Sequence, residues 1–385
     1  MKVLVVDDSA TSRMVLREAV EDLGHECVVA EDGTEGWKAF RHEEPEAVIS
    51  DWLMPGMDGI DLCRLIREDA DAPYTYFVMI TSLDDGESAL SGMRAGADDY
   101  LTKPFRPHDI EMRLIAAARV TAVHRRLRAR TKQIEDEVRT AAGVQQGLLP
   151  ANPPTVPGIT MGGLSVPAAE VGGDYYDFLL TPGGAVILVI ADVTGHSISA
   201  ALLMAMARTV LREQAARGLA PHDALEAINA AMYGDLVNAG LFITFFYAMY
   251  DPPTGALTFA NGGHNPPLLR RADGTIEHLD ADGAPIGLLD EVGFQLGRTQ
   301  LAAGDLVVLY TDGIVEAGIE LDDPFGDERL AELVGADANA SPAELALRIH
   351  DAVVAHSGAE SAHRDDITVA GLRVDDTAGT EGLTR

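Results

Sequence analysis

In this 385-residue chain, the residues whose type and spacing could do chemistry are acids standing directly behind apolar runs. The stretch 186–207, VILVIADVTGHSISAALLMAMA, reads as a buried strand over its first five residues that delivers Asp192 to a turn relaxed by Gly195. A helix follows, with Ser197 or Ser199 as N-cap and with Ala, Leu and Met round most of its circumference. Asp174 in EVGGDYYD, Asp312 in LVVLYTDGIVEA, and Asp365 with Asp366 in RDDITVAGL stand in similar contexts. One such acid alone would merely cap a turn. Several of them, gathered without basic partners, repel one another and resist burial, so the repetition points to divalent cations, which take hard oxygen ligands.

A second acidic set lies near the N-terminus. Short apolar strands at 2–6, 27–30, 47–50, 76–80 and 99–102 alternate with amphipathic helical patterns, and one such pattern runs on from Pro107. That alternation implies an α/β domain over 1–119, a doubly wound five-stranded parallel sheet with its site at the carboxyl ends of the strands. Those ends carry Asp7 and Asp8, Asp51, Thr81, and Lys103 with Pro104. Three acids at one edge make a Mg²⁺ site, where metal and lysine together can neutralise a phosphoryl group arriving on a carboxylate.

The elements between and beyond follow from pattern. Residues 120–149 form a charged, glycine-poor helical linker. Val120, Leu127, Ile134, Ala141 and Leu148 occupy one heptad position, and His124, Thr131, Val138 and Gln145 the other. A seam this thin and partly polar suits a parallel two-stranded coil of limited stability, or a lone connector helix. Gly143 and Gly147 weaken its end, and Pro150 stops it. Residues 150–374 show helical patterns at 197–217, 221–238 and 342–356 among strands joined by Gly and Pro turns, which implies an α+β domain, an α-β-β-α sandwich of antiparallel sheets. The tail 375–385 is small and polar and reads as disordered.

Composition narrows the function classes. With 61 acidic against 29 basic residues, a net charge of −32 argues against nucleic acid or an anionic membrane as partner, and no basic helix-turn-helix segment occurs. Cys27 and Cys63 have no metal-ligand spacing and read as reduced packing residues. The N-terminal apolar run is too short for a signal peptide and no run approaches membrane-spanning length, so a cytoplasmic protein is expected.

The set DDS, DWLMPGMDG, MITS and YLTKPF resembles the receiver domain of two-component response regulators. The resemblance implies Asp51 as phosphoacceptor and Mg²⁺ held by Asp8, Asp51 and the Leu53 carbonyl, with Asp7 assisting through water. It also implies Thr81 and Lys103 against the phosphoryl group, Tyr100 as the aromatic that changes rotamer, a cis Lys103–Pro104 bond, and a sensor histidine kinase as partner. The motifs EVGGDYYD, ADVTGHS, FITFFY, NGGHNPP, YTDGIVEA, PFGDERL and RDDITV, introduced by VQQGLLP, resemble the SpoIIE-like branch of the metal-dependent serine/threonine protein phosphatases. Here the resemblance implies that Asp192 bridges two Mn²⁺ or Mg²⁺ ions, with the Val193 carbonyl, Asp174, Asp312 and Asp365 completing the site. Asp366 has no assigned role, and His196 and His264 lie in turns that serve shape. Two cations roughly 3.5–4 Å apart activate a water for in-line attack on phosphorus, so no side-chain nucleophile is required.

One position departs from that pattern: Ser197 stands where the family usually has a second glycine, and its Cβ would crowd the turn if φ there were positive. The whole reads as a response regulator whose output is dephosphorylation of phosphoserine or phosphothreonine on a partner, by resemblance an anti-sigma-factor antagonist, in a homodimer formed through the linker helix. The rival is a non-catalytic regulator that sequesters a signalling protein through a degenerate phosphatase domain. Whether phosphorylation at Asp51 activates or inhibits is not written in the sequence.

Overall fold

The computed structural model describes residues 1–70, 72–82, 93–195, 197–337, 339–358 and 364–375. The helical pattern expected between the fourth and fifth strands falls largely on 83–92. That stretch, His196 and the tail beyond Asp375 lie outside the described residues. The chain divides into two compact units, Met1–Asp136 and Glu137–Arg385.

In the first unit β1 (Lys2–Val6), β2 (Glu26–Ala30), β3 (Ala47–Asp51), β4 (Tyr76–Ser82) and β5 (Asp99–Lys103) form a parallel sheet in the order β2-β1-β3-β4-β5. Alternation along β1 divides the core: Val3 and Val5 pack with α1 (Ala10–Asp22) on one face, and Leu4 and Val6 with α2 (Gly33–Glu43) and α3 (Gly59–Glu68) on the other. Ser9, Asp32 and Asp58 cap those helices through their side chains, each accepting a main-chain N–H three residues on. Cys27 is half-buried and Cys63 buried, and both are free thiols.

Helix α4 runs unbroken over Pro107–Gln146. The change of texture near residue 120 is therefore no break in the helix. It marks where the buried stripe Ile110, Leu114, Ala117 and Thr121 gives way to exposed residues, Leu127 and Ile134 among them. Beyond the core, His124 stacks on Tyr74 at 3.9 Å between ring centroids, and Arg125 pairs with Glu46.

The second unit is a four-layer sandwich. One antiparallel sheet has the order β13-β10-β9-β8-β7 and comprises β7 (Tyr175–Leu180), β8 (Val186–Val193), β9 (Ile243–Asp251), β10 (Ala256–Gly262) and β13 (Gly297–Gln300). The other, β12-β11-β14-β15-β6, comprises β6 (Ile159–Val166), β11 (Leu268–Arg270), β12 (Ile276–His278), β14 (Leu306–Tyr310) and β15 (Ile367–Val374). On β8, Ile187, Val189 and Ala191 face α5 (Ile198–Arg217) and α6 (Pro221–Ala239), while Val186, Leu188 and Ile190 face the opposite sheet. A strand buried on both faces explains why its sequence is apolar without alternation. Helices α8 (Gly326–Ala336) and α9 (Pro342–Ser357) cover the outer face of the second sheet, and a single-turn helix, α7 (Asp312–Val315), follows β14.

Sequence pattern did not mark β6, β7, β12, β13, α7 or α8. In β6 the pair Gly162–Gly163 masks the strand signal because packing needs small residues: a Cβ on Gly162 would come within 2.8 Å of Ala343, and one on Gly163 within 2.7 Å of the Tyr176 ring. No helix among the described residues is long and apolar enough to cross a membrane.

Candidate functional sites

At the carboxyl edge of the first sheet, Asp7, Asp8 and Asp51 each bring an oxygen within 4.8 Å of the others. Asp7 is fully buried. It accepts from the Ser9 main chain at 2.8 Å and from Lys103 at 3.3 Å. Lys103 also donates to Asp51 at 2.8 Å, and the Trp52 N–H donates to the other Asp51 oxygen at 3.0 Å. Burial, with Asp7 adding repulsion, holds the Asp51 carboxyl above its ordinary value, against the pull of Lys103. Burial alone would lower the Lys103 ammonium, but its bonds to Asp51 and Asp7 carry it above its usual range. The donor set, three carboxylates at one rim, suits a hard cation such as Mg²⁺.

The remaining receiver positions lie round the same edge or on the adjoining strands. Thr81 is buried near the end of β4, Tyr100 is 44% exposed on β5, Leu53 lies on the open surface after β3, and the Lys103–Pro104 bond is cis. Gly59 lets α3 approach closely, since a Cβ there would lie 2.2 Å from the Asp51 carbonyl oxygen.

In the second unit Asp192 stands at the end of β8, Asp174 just before β7, Asp312 at the start of α7, and Asp365 just before β15. The folded chain brings all four round the end of β8. Burial and the facing Asp312, Asp365 and Asp366 push the Asp192 carboxyl up to about 7. Burial and the facing Asp192 and Asp366 raise Asp174 well above the carboxylate range, although Thr368 and Thr311 donate towards it. Asp312 is raised by burial and by Glu316. Among the described residues, however, only the receiver trio closes to 4.8 Å; no three of these acids approach so near.

The residues that aim these acids were invisible to pattern. Asp366, whose role the sequence left open, is buried and accepts main-chain N–H groups from Ala168 at 2.8 Å, Gly173 at 2.6 Å and Asp174 at 3.2 Å. It is the post round which the Asp174 loop is wound. Glycine is obligatory in that loop: a Cβ on Gly172 would meet the Asp366 carboxylate at 2.4 Å, and one on Gly173 the Val193 carbonyl oxygen at 2.4 Å. Thr311 donates to Asp174 at 2.9 Å and accepts from the Thr368 N–H at 3.0 Å, tying β14 to β15 beneath the site.

His264 serves shape, as its motif implied. Its Nε2–H donates to the Tyr310 carbonyl at 3.0 Å, its Nδ1 accepts from the Thr244 hydroxyl at 2.7 Å, and burial drops it to about 4, so the ring is neutral. Ser197 corrects an expectation. Its φ is −98°, and the positive φ belongs to Gly195 at +84°, so the condition on which crowding depended is not met. The Ser197 side chain caps α5 by accepting the Ala200 N–H.

Known proteins resemble the chain over both domains. The profile for stage II sporulation protein E (SpoIIE) matches residues 182–375, and that for the response regulator receiver domain matches 3–115. The phosphoserine phosphatase RsbU of Bacillus subtilis is 32% identical over 254 residues, which are 65% of this chain and 73% of the relative. Among solved structures, the SiaA-PP2C domain of Pseudomonas aeruginosa has 26% identity and a TM-score of 0.56, covering 64% of this chain and 99% of that one. The RsbU and RsbW domains of Rv1364c from Mycobacterium tuberculosis have 27% identity and a TM-score of 0.51, covering 58% of this chain and 63% of that one. The chain belongs to the SpoIIE family, and it is a response-regulator receiver domain joined to an RsbU-like phosphatase domain.

Proposed function

We propose that the chain removes phosphate from phosphoserine or phosphothreonine on a partner protein, and that a sensor histidine kinase governs this output by phosphorylating Asp51. The observation that carries the reading is the surroundings of Asp192: a buried carboxylate faced by Asp312, Asp365 and Asp366. Such a cluster stays ionised at neutral pH only with positive charge between its members, and its oxygen donors fit Mn²⁺ or Mg²⁺. Asp174, Asp192, Asp312 and Asp365 would hold two such ions, with the Val193 carbonyl beside them. When bound, the ions supply charge neutralisation for an arriving phosphate and acidity for a water. The protein's part is to fix Asp174 through Asp366, Thr311 and the close turn at Gly172–Gly173.

The partner is of the anti-sigma-factor antagonist class, a reading supported by the RsbU relative and by the family motifs. In the receiver, Mg²⁺ would sit among Asp7, Asp8 and Asp51. Two copies would join through the α4 seam of Leu127, Thr131, Ile134 and Val138, a stripe largely open to solvent in the single chain. Ser197 caps α5 at a negative φ, which supports an intact turn beside Asp192.

Mn²⁺-dependent hydrolysis of p-nitrophenyl phosphate by the full chain, compared with Asp192→Ala, tests the enzyme. The variant is expected to lose more than the roughly 10–100-fold that removal of a group orienting a metal ligand costs, and full turnover by the variant would defeat the assignment. Rates that do not change when acetyl phosphate and Mg²⁺ load Asp51 would remove the regulatory half.

A further inference from the structure

The last turn of α4 holds a side chain that neither the receiver nor the acidic site accounts for. Gln145 Nε2–H donates to the Gly172 carbonyl at 2.6 Å, and the Gly172 N–H donates back to Gln145 Oε1 at 3.1 Å. One primary amide thus satisfies both main-chain groups of one residue, as a neighbouring strand would. Only a side chain with donor and acceptor on one carbon can do this: glutamate lacks the donor and leucine lacks both.

The residue so held is two positions before Asp174, in the loop that Asp366 grips from inside through Ala168, Gly173 and Asp174. Gly172 cannot carry a Cβ because of that carboxylate. The loop is therefore clamped from two sides, by Asp366 within and by Gln145 without. Gln145, Leu149, Gly172, Asp174, Met204 and Asp366 line one small cleft. The chain just after Gln145 is anchored in turn: Arg208 on α5 donates to the Leu148 carbonyl at 2.8 Å, and Leu149 packs against the clusters on both faces of the inner sheet.

We propose that Gln145 is a positioning residue for Asp174, setting where that carboxylate stands and hence how readily the site takes divalent cations. The assignment rests on the phosphatase reading for its catalytic consequence, and on geometry alone for the clasp. Because α4 is one continuous helix as far as Gln146, a shift of its last turn by about an ångström would break a hydrogen bond already near its length limit.

The test uses the full chain as wild type, Gln145→Ala and Gln145→Glu, with Asp192→Ala as an inactive control. In Gln145→Ala the Mn²⁺ concentration for half-maximal turnover should rise by about tenfold or more, as for loss of a group that orients a ligand. KM for p-nitrophenyl phosphate should stay within about twofold, because substrate contacts are untouched. Amides of 168–174 should exchange with deuterium about tenfold faster in metal-free protein while β8 amides are unchanged, a local rather than global opening. Gln145→Glu, which keeps the acceptor but sets a carboxylate oxygen against the Gly172 carbonyl, should move both readouts in the same direction as Gln145→Ala. Unchanged exchange at 168–174 with unchanged Mn²⁺ dependence overturns the proposal, and so does a uniform speeding of exchange across the unit. Should the wild type lack Mn²⁺-dependent turnover, the phosphatase reading fails, and the exchange comparison alone decides the clasp.

Discussion

In the receiver, three aspartates bring oxygens within 4.8 Å of one another with Lys103 bonded to two of them. In the phosphatase domain, acids face acids and no three close so tightly among the described residues. The contrast has a physical cause. In the receiver Lys103 offsets the repulsion among the acids, whereas Asp192 and Asp174 face further acids and hold their protons more tightly. The receiver acids are thus gathered round a cation of the chain itself. In the phosphatase domain Asp366, Thr311 and the glycine turn fix the Asp174 loop.

Opposite charge deletions should separate the two sites most sharply. Lys103→Ala leaves Asp7, fully buried, without its cation and should cost about 1–3 kcal/mol in urea unfolding. Asp192→Ala removes one of several repelling acids and should not lower stability in metal-free buffer. Losses of similar size in both variants would break the comparison.

A pH series sharpens it further. An acid raised to about 7 in the folded state binds its proton more tightly there than in the unfolded chain. Its stabilising contribution is complete below about pH 4 and is lost as pH rises through about 7. His264, dropped to about 4, works in the other direction between there and about 6.5. The informative quantity is therefore the difference between wild type and Asp192→Asn. The variant should gain on wild type from pH 5 to pH 8 without metal, and that gain should vanish with Mn²⁺, which binds the ionised form. A pH-independent difference in urea midpoints would show that Asp192 does not feel its neighbours.

The smallest effect is expected at Ser197. Glycine there removes one helix cap, so Ser197→Gly should cost only a few tenths of a kcal/mol and leave turnover within about twofold. A large gain in turnover would mean that the Ser197 Cβ hinders the site after all.

Reading the chain without coordinates recovers the parallel sheet, the sandwich and all the acids because these are local matters. A doubly buried strand announces itself as an apolar run, and a strand end followed by Asp and Gly is a short-range signal. Elements with weak local signals escaped. β6 is interrupted by Gly162 and Gly163, which are small for the sake of Ala343 and Tyr176, and α7 is a single turn. The texture change near residue 120 looked like a boundary because exposure changes there while the helix does not.

The sequence by itself determined the two domains, the acid inventory and the receiver's lysine, since each is a matter of residue type at a fixed offset from a strand. Only the tertiary structure decided that Asp366 is a post and Gln145 a clasp: their partners lie 193 and 27 residues away. It also decided that Ser197 is a helix cap at negative φ, because φ is a property of the folded backbone and not of the residue that adopts it. Charge repulsion among the phosphatase acids is likewise a consequence of distance, which no spacing along the chain can state.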